Sequence, residues 1–385
     1  MERYRYCKNP FVVDGPLAPE WALPPDDVQA FHRSLPGYQP TPLLELPALA
    51  RELGLGAVLV KDEAQRFGLN AFKVLGASYA MHRFMAKSSA GARPGSLTFA
   101  TATDGNHGRA VAWSARRLGH KAVIFVPHNT VPARIESIRG EGAEVVVVAG
   151  TYDETVRRAA ADAAQHGWQV ISDTAYPGYV EIPRWIMEGY GTLFAETTAE
   201  LAARGQAPPD VVFLQAGVGG LACAGTIAYR RAGGRVPTLV SVEPTDADCL
   251  LESIASPDGA LREARGKQNS IMAGLNCGTP SLLAWPVLRA GMHGFLAVED
   301  GFAEDAMRRL AAGAGGDPRI VSGESGAAGL AGLLALVREP GLTDARRELG
   351  LGPAARVLLI NTEGDTDPVN YRHIVGASAP APGAA

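Results

Sequence analysis

One lysine stands where an amine could do covalent chemistry. In Phe67-Gly68-Leu69-Asn70-Ala71-Phe72-Lys73-Val74-Leu75-Gly76-Ala77, Lys73 lies between an aromatic and the start of a helical apolar pattern. Apolar flanks strip water from the ammonium, and desolvation disfavours its charged form. The expectation is an amine neutral at working pH, the form that Schiff-base chemistry requires. Most lysines beside apolar neighbours instead snorkel their charge to solvent, so Lys73 reads as functional only in company.

Three turns at strand ends supply that company. Thr101-Ala102-Thr103-Asp104-Gly105-Asn106-His107-Gly108 follows the apolar run 97–100. It opens a helical pattern with Val111, Ala115 and Leu118 on one face, which Gly119 stops. Its glycines let the backbone crowd a ligand, and the Asn106 amide could serve a ring oxygen. Val211-Val212-Phe213-Leu214-Gln215-Ala216-Gly217-Val218-Gly219-Gly220-Leu221 is a second buried strand running into a glycine turn and a helix. Successive N–H groups at such a helix start bind phosphate. Gly217, Gly219 and Ala222 also fit the dinucleotide fingerprint, with Glu243 about 20 residues on, where a ribose-binding acid belongs. The loop indicates a phosphate without saying which. The third turn, Asn361-Thr362-Glu363-Gly364-Asp365-Thr366-Asp367, follows the apolar run 356–360. A hydroxyl there can hydrogen-bond a pyridine nitrogen without fully protonating it, whereas an aspartate would hold it charged. Asn361 and Thr362 are both candidates for that contact.

Short apolar runs alternate with helical patterns around these turns, as in α/β folds. Strands are expected at 97–102, 121–127, 143–149 and 168–172, with helices near 107–118, 132–140 and 153–165. The crossovers are long enough for parallel strands. A second series includes 57–61, 211–216, 238–243 and 356–361. Together they imply two open parallel-sheet α/β domains with a ligand between them. Residues 1–75 and 192–385 would form the large domain, with 76–191 inserted as the small one. Loops are expected at 14–27, 255–270 and 312–326, and residues 375–385 read as a disordered tail.

The order of the segments carries more than any one of them. Lysine after Asn-Ala-Phe, Asp-Gly-Asn-His-Gly, Ala-Gly-Val-Gly-Gly, Ser322-Gly323-Glu324-Ser325-Gly326-Ala327 and Thr362 resemble the fold-type II pyridoxal-phosphate (PLP) enzymes. These include threonine and serine dehydratases, cysteine synthase and the tryptophan synthase β chain. The match runs roughly from Thr41 to Tyr371. The resemblance implies pyridoxal 5'-phosphate as cofactor, carried by Lys73 with Phe72 beside it and Asn106 on its 3-oxygen. It puts Gly217, Val218, Gly219, Gly220 and Leu221 on the phosphate and Thr362 by the ring nitrogen, and Glu324 matches an acid near the ring in many members.

Finer features resemble the 2,3-diaminopropionate ammonia-lyases. They are Asp173-Thr174-Ala175-Tyr176, the stretch 182–190, Val242-Glu243-Pro244 through Cys249, Ile271 through Gly278, and Thr362 through Asp367. Dehydratases usually carry a serine directly before Gly-Asn-His, where this chain has Asp104. The resemblance implies α,β-elimination of 2,3-diaminopropionate, L and D, to pyruvate and two ammonia. A substrate with a second amino group needs an anion near its β-position, and Asp104 and Asp173 are the candidates. Asp104 would also place a base on the cofactor face opposite Lys73. A serine/threonine dehydratase or β-replacement synthase of the same fold leaves Asp104 unexplained. A nicotinamide-dependent oxidoreductase leaves Lys73 and Asn106 without a task. Cys249 and Cys277 are expected close together, with a disulfide between them an open question.

Bulk properties narrow the partners. Hydrophobic residues at 46% and charged at 20% describe a globular chain, and a net charge of −4 without long runs offers nothing to nucleic acid. No apolar stretch of signal-peptide length follows Met1, and no window reaches the roughly 20 apolar residues that span a bilayer. Four cysteines lack metal-ligand spacing, so no metal is expected. The expectation is a cytoplasmic enzyme of a small amino acid, with a homodimer implied by the family.

Overall fold

Runs such as VVFLQ at 211–215 and KAVIFVP at 121–127 lack polar alternation, the pattern of parallel strands covered on both faces. A computed structural model describes residues 3–15, 17, 25–88, 93–103, 105–150, 152–230 and 235–376. Asp104 and residues 377–385, nearly all of the expected tail, lie outside the described residues. The chain opens with β1 (Tyr4–Lys8), β2 (Leu43–Glu45) and β3 (Ala57–Asp62). There follow β4 (Thr98–Ala102), β5 (Lys121–Pro127), β6 (Glu144–Val148) and β7 (Gln169–Val170), then β8 (Val211–Gln215), β9 (Thr238–Pro244), β10 (Gly294–Val298) and β11 (Arg356–Asn361).

Two sheets result. The larger has the order β1-β10-β9-β8-β11-β3-β2 and the smaller β6-β5-β4-β7. Every pairing in the smaller sheet is parallel. The larger is parallel through its centre, but β1 on β10 and β2 on β3 close its two edges antiparallel. Those edges, and β10, escaped the sequence reading. β2 is three residues long, and β1 carries Arg5 and Lys8 on an edge where one side needs no apolar cover.

Helices cover the sheets, and two of them join the halves. Both domain boundaries expected from sequence fall inside helices, Val74–Lys87 and Glu181–Ala203. These two helices cross at glycines. A Cβ on Gly189 would lie 2.3 Å from the Leu75 carbonyl, and one on Gly76 would lie 2.6 Å from the Tyr190 ring. Around the crossing, one apolar core reaches both sheets, containing Leu59, Val212 and Leu358 of the larger with Phe99 and Ile124 of the smaller. Among the described residues, no helix is long and apolar enough to cross a membrane.

The crossing tolerates no side chain, since either helix would have to move to admit one. Gly189→Ala should lower unfolding free energy by about 1–3 kcal/mol. Gly140→Ala, at the end of a helix with nothing within 4 Å of the added atom, should leave stability unchanged or raise it slightly. Urea denaturation of both variants reads the difference.

Candidate active site

Ligands in open α/β sheets sit beyond the carboxyl ends of the strands, and here five strands end on one cavity of ≈ 330 Å³. The segment after β3 brings Phe72 and Lys73, and that after β4 brings Thr103, Gly105, Asn106 and His107. The segment after β7 brings Asp173, β8 leads into 216–221, and β11 ends at Thr362 and Glu363.

Lys73 directly precedes the helix Val74–Lys87, and its Nζ donates to Asp173 Oδ2 at 2.5 Å. This pair overturns the expectation of a neutral amine. Burial does press the Lys73 pKa down, but the charge of Asp173 outweighs it and raises the amine above the ordinary lysine value. Burial also works against the Asp173 carboxylate, yet Lys73 and then His107 hold it well below the usual range. The Phe72 ring lies 4.7 Å from that of Tyr190, and Nζ sits 5.6 Å from the Phe72 centroid.

The glycine loop is shaped to expose backbone. Gly219, with φ of 97°, caps the helix Gly220–Tyr229, whose first N–H groups have no acceptor within the helix. A Cβ on Gly217 would come within 2.7 Å of Cys277 Sγ, and one on Gly219 within 2.7 Å of Leu288. The residues therefore make a cradle that only glycine leaves open, at the positive end of a helix, which suits a phosphate.

Other sequence expectations divide. Asn106 lines the cavity and donates from Nδ2 to Glu363 at 2.5 Å. Of Asn361 and Thr362, Thr362 is the one that lines the cavity. Asn361 Nδ2 donates away from the cavity to Asp62 and the Val321 carbonyl, while Thr362 lines it and accepts from Gln215 Nε2 at 3.2 Å. Glu324 is off the cavity wall and accepts from Asn370 at 2.6 Å; burial and then the charge of Glu363 push its carboxyl up to about 7. Of the two acids in these turns, Glu363 reaches the cavity and Glu324 does not. Glu243 is fully buried and accepts the N–H groups of Leu250 and Leu251 at 2.8 and 2.9 Å, so it has no oxygen for a ribose. That removes the acid on which the nicotinamide reading depended.

Cys249 and Cys277 both lie against Gly217, the former with Sγ 3.8 Å from its carbonyl, and both are thiols. Sequence reasoning passed over His107, Tyr190, Gln215 and Glu363, all on the cavity wall. All four stood within segments already singled out. His107 Nε2–H donates to the Ile171 carbonyl at 2.8 Å, while Nδ1 lies 4.0 Å from Asp173. Burial lowers its pKa more than the facing Asp173 carboxylate raises it.

Residues 35–363 match the model of a family described as pyridoxal-phosphate dependent enzyme. The chain is 43% identical over 371 residues to the diaminopropionate ammonia-lyase of Escherichia coli (strain K12), covering 91% of this chain and 92% of that one. Its fold is similar to the crystal structure of the Escherichia coli diaminopropionate ammonia lyase in complex with D-serine, with a TM-score of 0.89 at 39% identity over 97% and 96% of the two chains. A second structure, of that enzyme in complex with an aminoacrylate-PLP azomethine reaction intermediate, gives 0.88 at 40% identity over 98% of each.

The ion pair sets a pH dependence in the protein without cofactor. Asp173 stabilises above the ordinary aspartate range and loses that contribution as pH falls through its lowered folded value. Lys73 stabilises up to the ordinary lysine range and loses its contribution as pH rises through its raised one. Asp173→Asn removes the opposing charge and leaves the desolvation, so the amine should deprotonate at lower pH. Labelling of Lys73 by an amine-reactive reagent at neutral pH should rise roughly tenfold or more, one pKa unit being a factor of ten in free amine. Peptide mapping of labelled protein measures it.

Proposed function

The chain belongs to the diaminopropionate ammonia-lyases of the pyridoxal-phosphate dependent family, and from that premise we propose how its residues divide the work of elimination. It is a PLP-dependent ammonia-lyase with a small amino acid as substrate. The observation that carries the assignment is Lys73 at 2.5 Å from Asp173, in one cavity with Asn106, Thr362 and the glycine cradle.

Bound PLP supplies an electron sink for the carbanion at the substrate Cα. The chain's own groups do the rest. N–H groups of 217–221 would hold the phosphate at the helix start, Lys73 Nζ would carry the cofactor, and Asn106 would donate to its ring 3-oxygen. The Thr362 hydroxyl, 3.2 Å from Gln215 Nε2 on the cavity wall, would offer its hydrogen to the ring nitrogen. A neutral hydroxyl there would leave that nitrogen unprotonated, which suits loss of a β-group, and Lys73 Nζ, as a free amine, would take the Cα proton of the L-enantiomer. Asp173 supplies the anion that the substrate's β-ammonium requires, and the β-nitrogen departs as ammonia. Water then completes the conversion to pyruvate and a second ammonia.

We assign the D-enantiomer to Asp104. The motivation is its place in the sequence, directly before Gly-Asn-His, where the related dehydratases usually carry a serine, and next to Thr103 and Gly105, two residues of the cavity wall. A serine/threonine dehydratase needs no such anion. The family also carries the expectation of a cytoplasmic homodimer, which size-exclusion chromatography checks.

Lys73→Ala should abolish the cofactor's visible absorption band and lower pyruvate formation by orders of magnitude; a variant that kept both would refute the assignment. Asp104→Asn keeps size but removes the basic oxygen pair. Pyruvate formation from D-diaminopropionate should fall 10²–10⁴-fold, the usual cost of losing a general base, while L-activity is largely spared. Equal losses for both enantiomers would show that Asp104 orients substrate and takes no proton.

A further inference from the structure

Glu363 has no part in the assignments above, yet four segments meet on it. It is 1% exposed and forms part of the cavity wall. Its Oε2 accepts from Asn106 Nδ2 at 2.5 Å and from the Thr366 hydroxyl at 3.1 Å, and Oε1 accepts from the Ser325 N–H at 3.1 Å. Its backbone pairs with Ala71, two residues before Lys73, in an antiparallel bridge. Three donors and a paired backbone hold this carboxylate in one place. Asn106 begins the helix that follows β4 of the smaller sheet, and Glu363 follows β11 of the larger. Their hydrogen bond therefore crosses from one sheet to the other over the floor of the cavity.

An asparagine amide has two ends of opposite character. Its NH₂ donates twice and its carbonyl only accepts, and its orientation is decided by its partners. An ionised carboxylate only accepts, so Glu363 can bind only the NH₂ end. One amide hydrogen is used there, and the other stays on the same nitrogen for a second acceptor. We propose that Glu363 is a positioning residue: it aims the Asn106 NH₂ at the cofactor's ring 3-oxygen and prevents the amide from turning its carbonyl there. Two acceptors facing each other would repel and leave the ring oxygen unsatisfied. The inference rests on the assignment of Asn106 to that oxygen.

The test is a double-mutant cycle read by cofactor binding. Dissociation constants for PLP are measured by spectroscopic titration of the wild type, Glu363→Gln, Asn106→Ala and the double variant. A glutamine amide can donate or accept, so both amides can turn together and the bias is lost. Glu363→Gln should weaken PLP binding roughly tenfold or more and shift the pH at which the visible band changes, a hydrogen bond to a charged group being worth that much. In the Asn106→Ala background the same change should cost less than about twofold, because residues acting as one unit are not additive. An equal loss in both backgrounds would mean that Glu363 only supports the fold, and no loss in the wild-type background would also overturn the inference. If Asn106→Ala alone leaves affinity and band unchanged, the Asn106 assignment itself is wrong. Glu363→Asp, which keeps the charge but withdraws it by one methylene, is the second variant should Glu363→Gln not fold, and its loss should run in the same direction.

Discussion

Two backbone hydrogen bonds, Phe72 N–H to the Thr362 carbonyl at 3.1 Å and Gly364 N–H to the Asn70 carbonyl at 2.9 Å, fasten the segment before Lys73 to the end of β11. The fastened segment is strained. Phe67 and Asn70 have φ of 51° and 56°, a region that costs non-glycine residues free energy unless the surroundings impose it. The surroundings here are charged and buried. Arg66 reaches Glu63 and Glu196 at 2.7 Å, and Lys61 reaches Glu196 at 2.6 Å, all nearly out of solvent. Removing one partner of such a network strands the other charge in the interior, which is far costlier than losing a surface pair. The network ties the lysine's segment to the helix Glu181–Ala203, so the amine is delivered from a rigid floor.

That helix is also half of the crossing through which the two sheets communicate. Where Gly76 meets Gly189 the backbones touch, and the first residue of the other helix is Val74, next to Lys73. Close backbone contact limits sliding between the helices, so the carboxyl ends of β4 and β7 keep their distance from those of β8 and β11.

Within the cavity the electrostatics favour charge pairs. Lys73 and Asp173 each raise the other's tendency to be charged, against burial that opposes both. An amine that is to bond a carbonyl must first give up its proton, and in the protein without cofactor Asp173 holds that proton on Lys73.

The order of motifs and the apolar runs determined a good deal by themselves. Eight strands, the helices at 106–117, 132–140 and 152–166, and the turns bearing Lys73, Asn106, the glycine cradle and Thr362 were legible. Each is a local pattern: a buried run, a 3.6-residue periodicity, or a glycine where a side chain would obstruct. Tertiary structure decided what depends on meetings across the chain. The protonation of Lys73 could not be read from Phe72 and Val74, because the governing charge, Asp173, lies 100 residues away. Glu243 looked like a ribose ligand until its two N–H donors from a following helix turned it into a buried cap. In one dimension Glu324 and Glu363 were both acids in glycine-bearing turns. Only the placement of Asn370 beside one and Asn106 beside the other separated an acid behind the wall from an acid on it. Local sequence sets which groups exist and which backbone they ride on; the charge state and direction of each are properties of its neighbours, and folding supplies the neighbours.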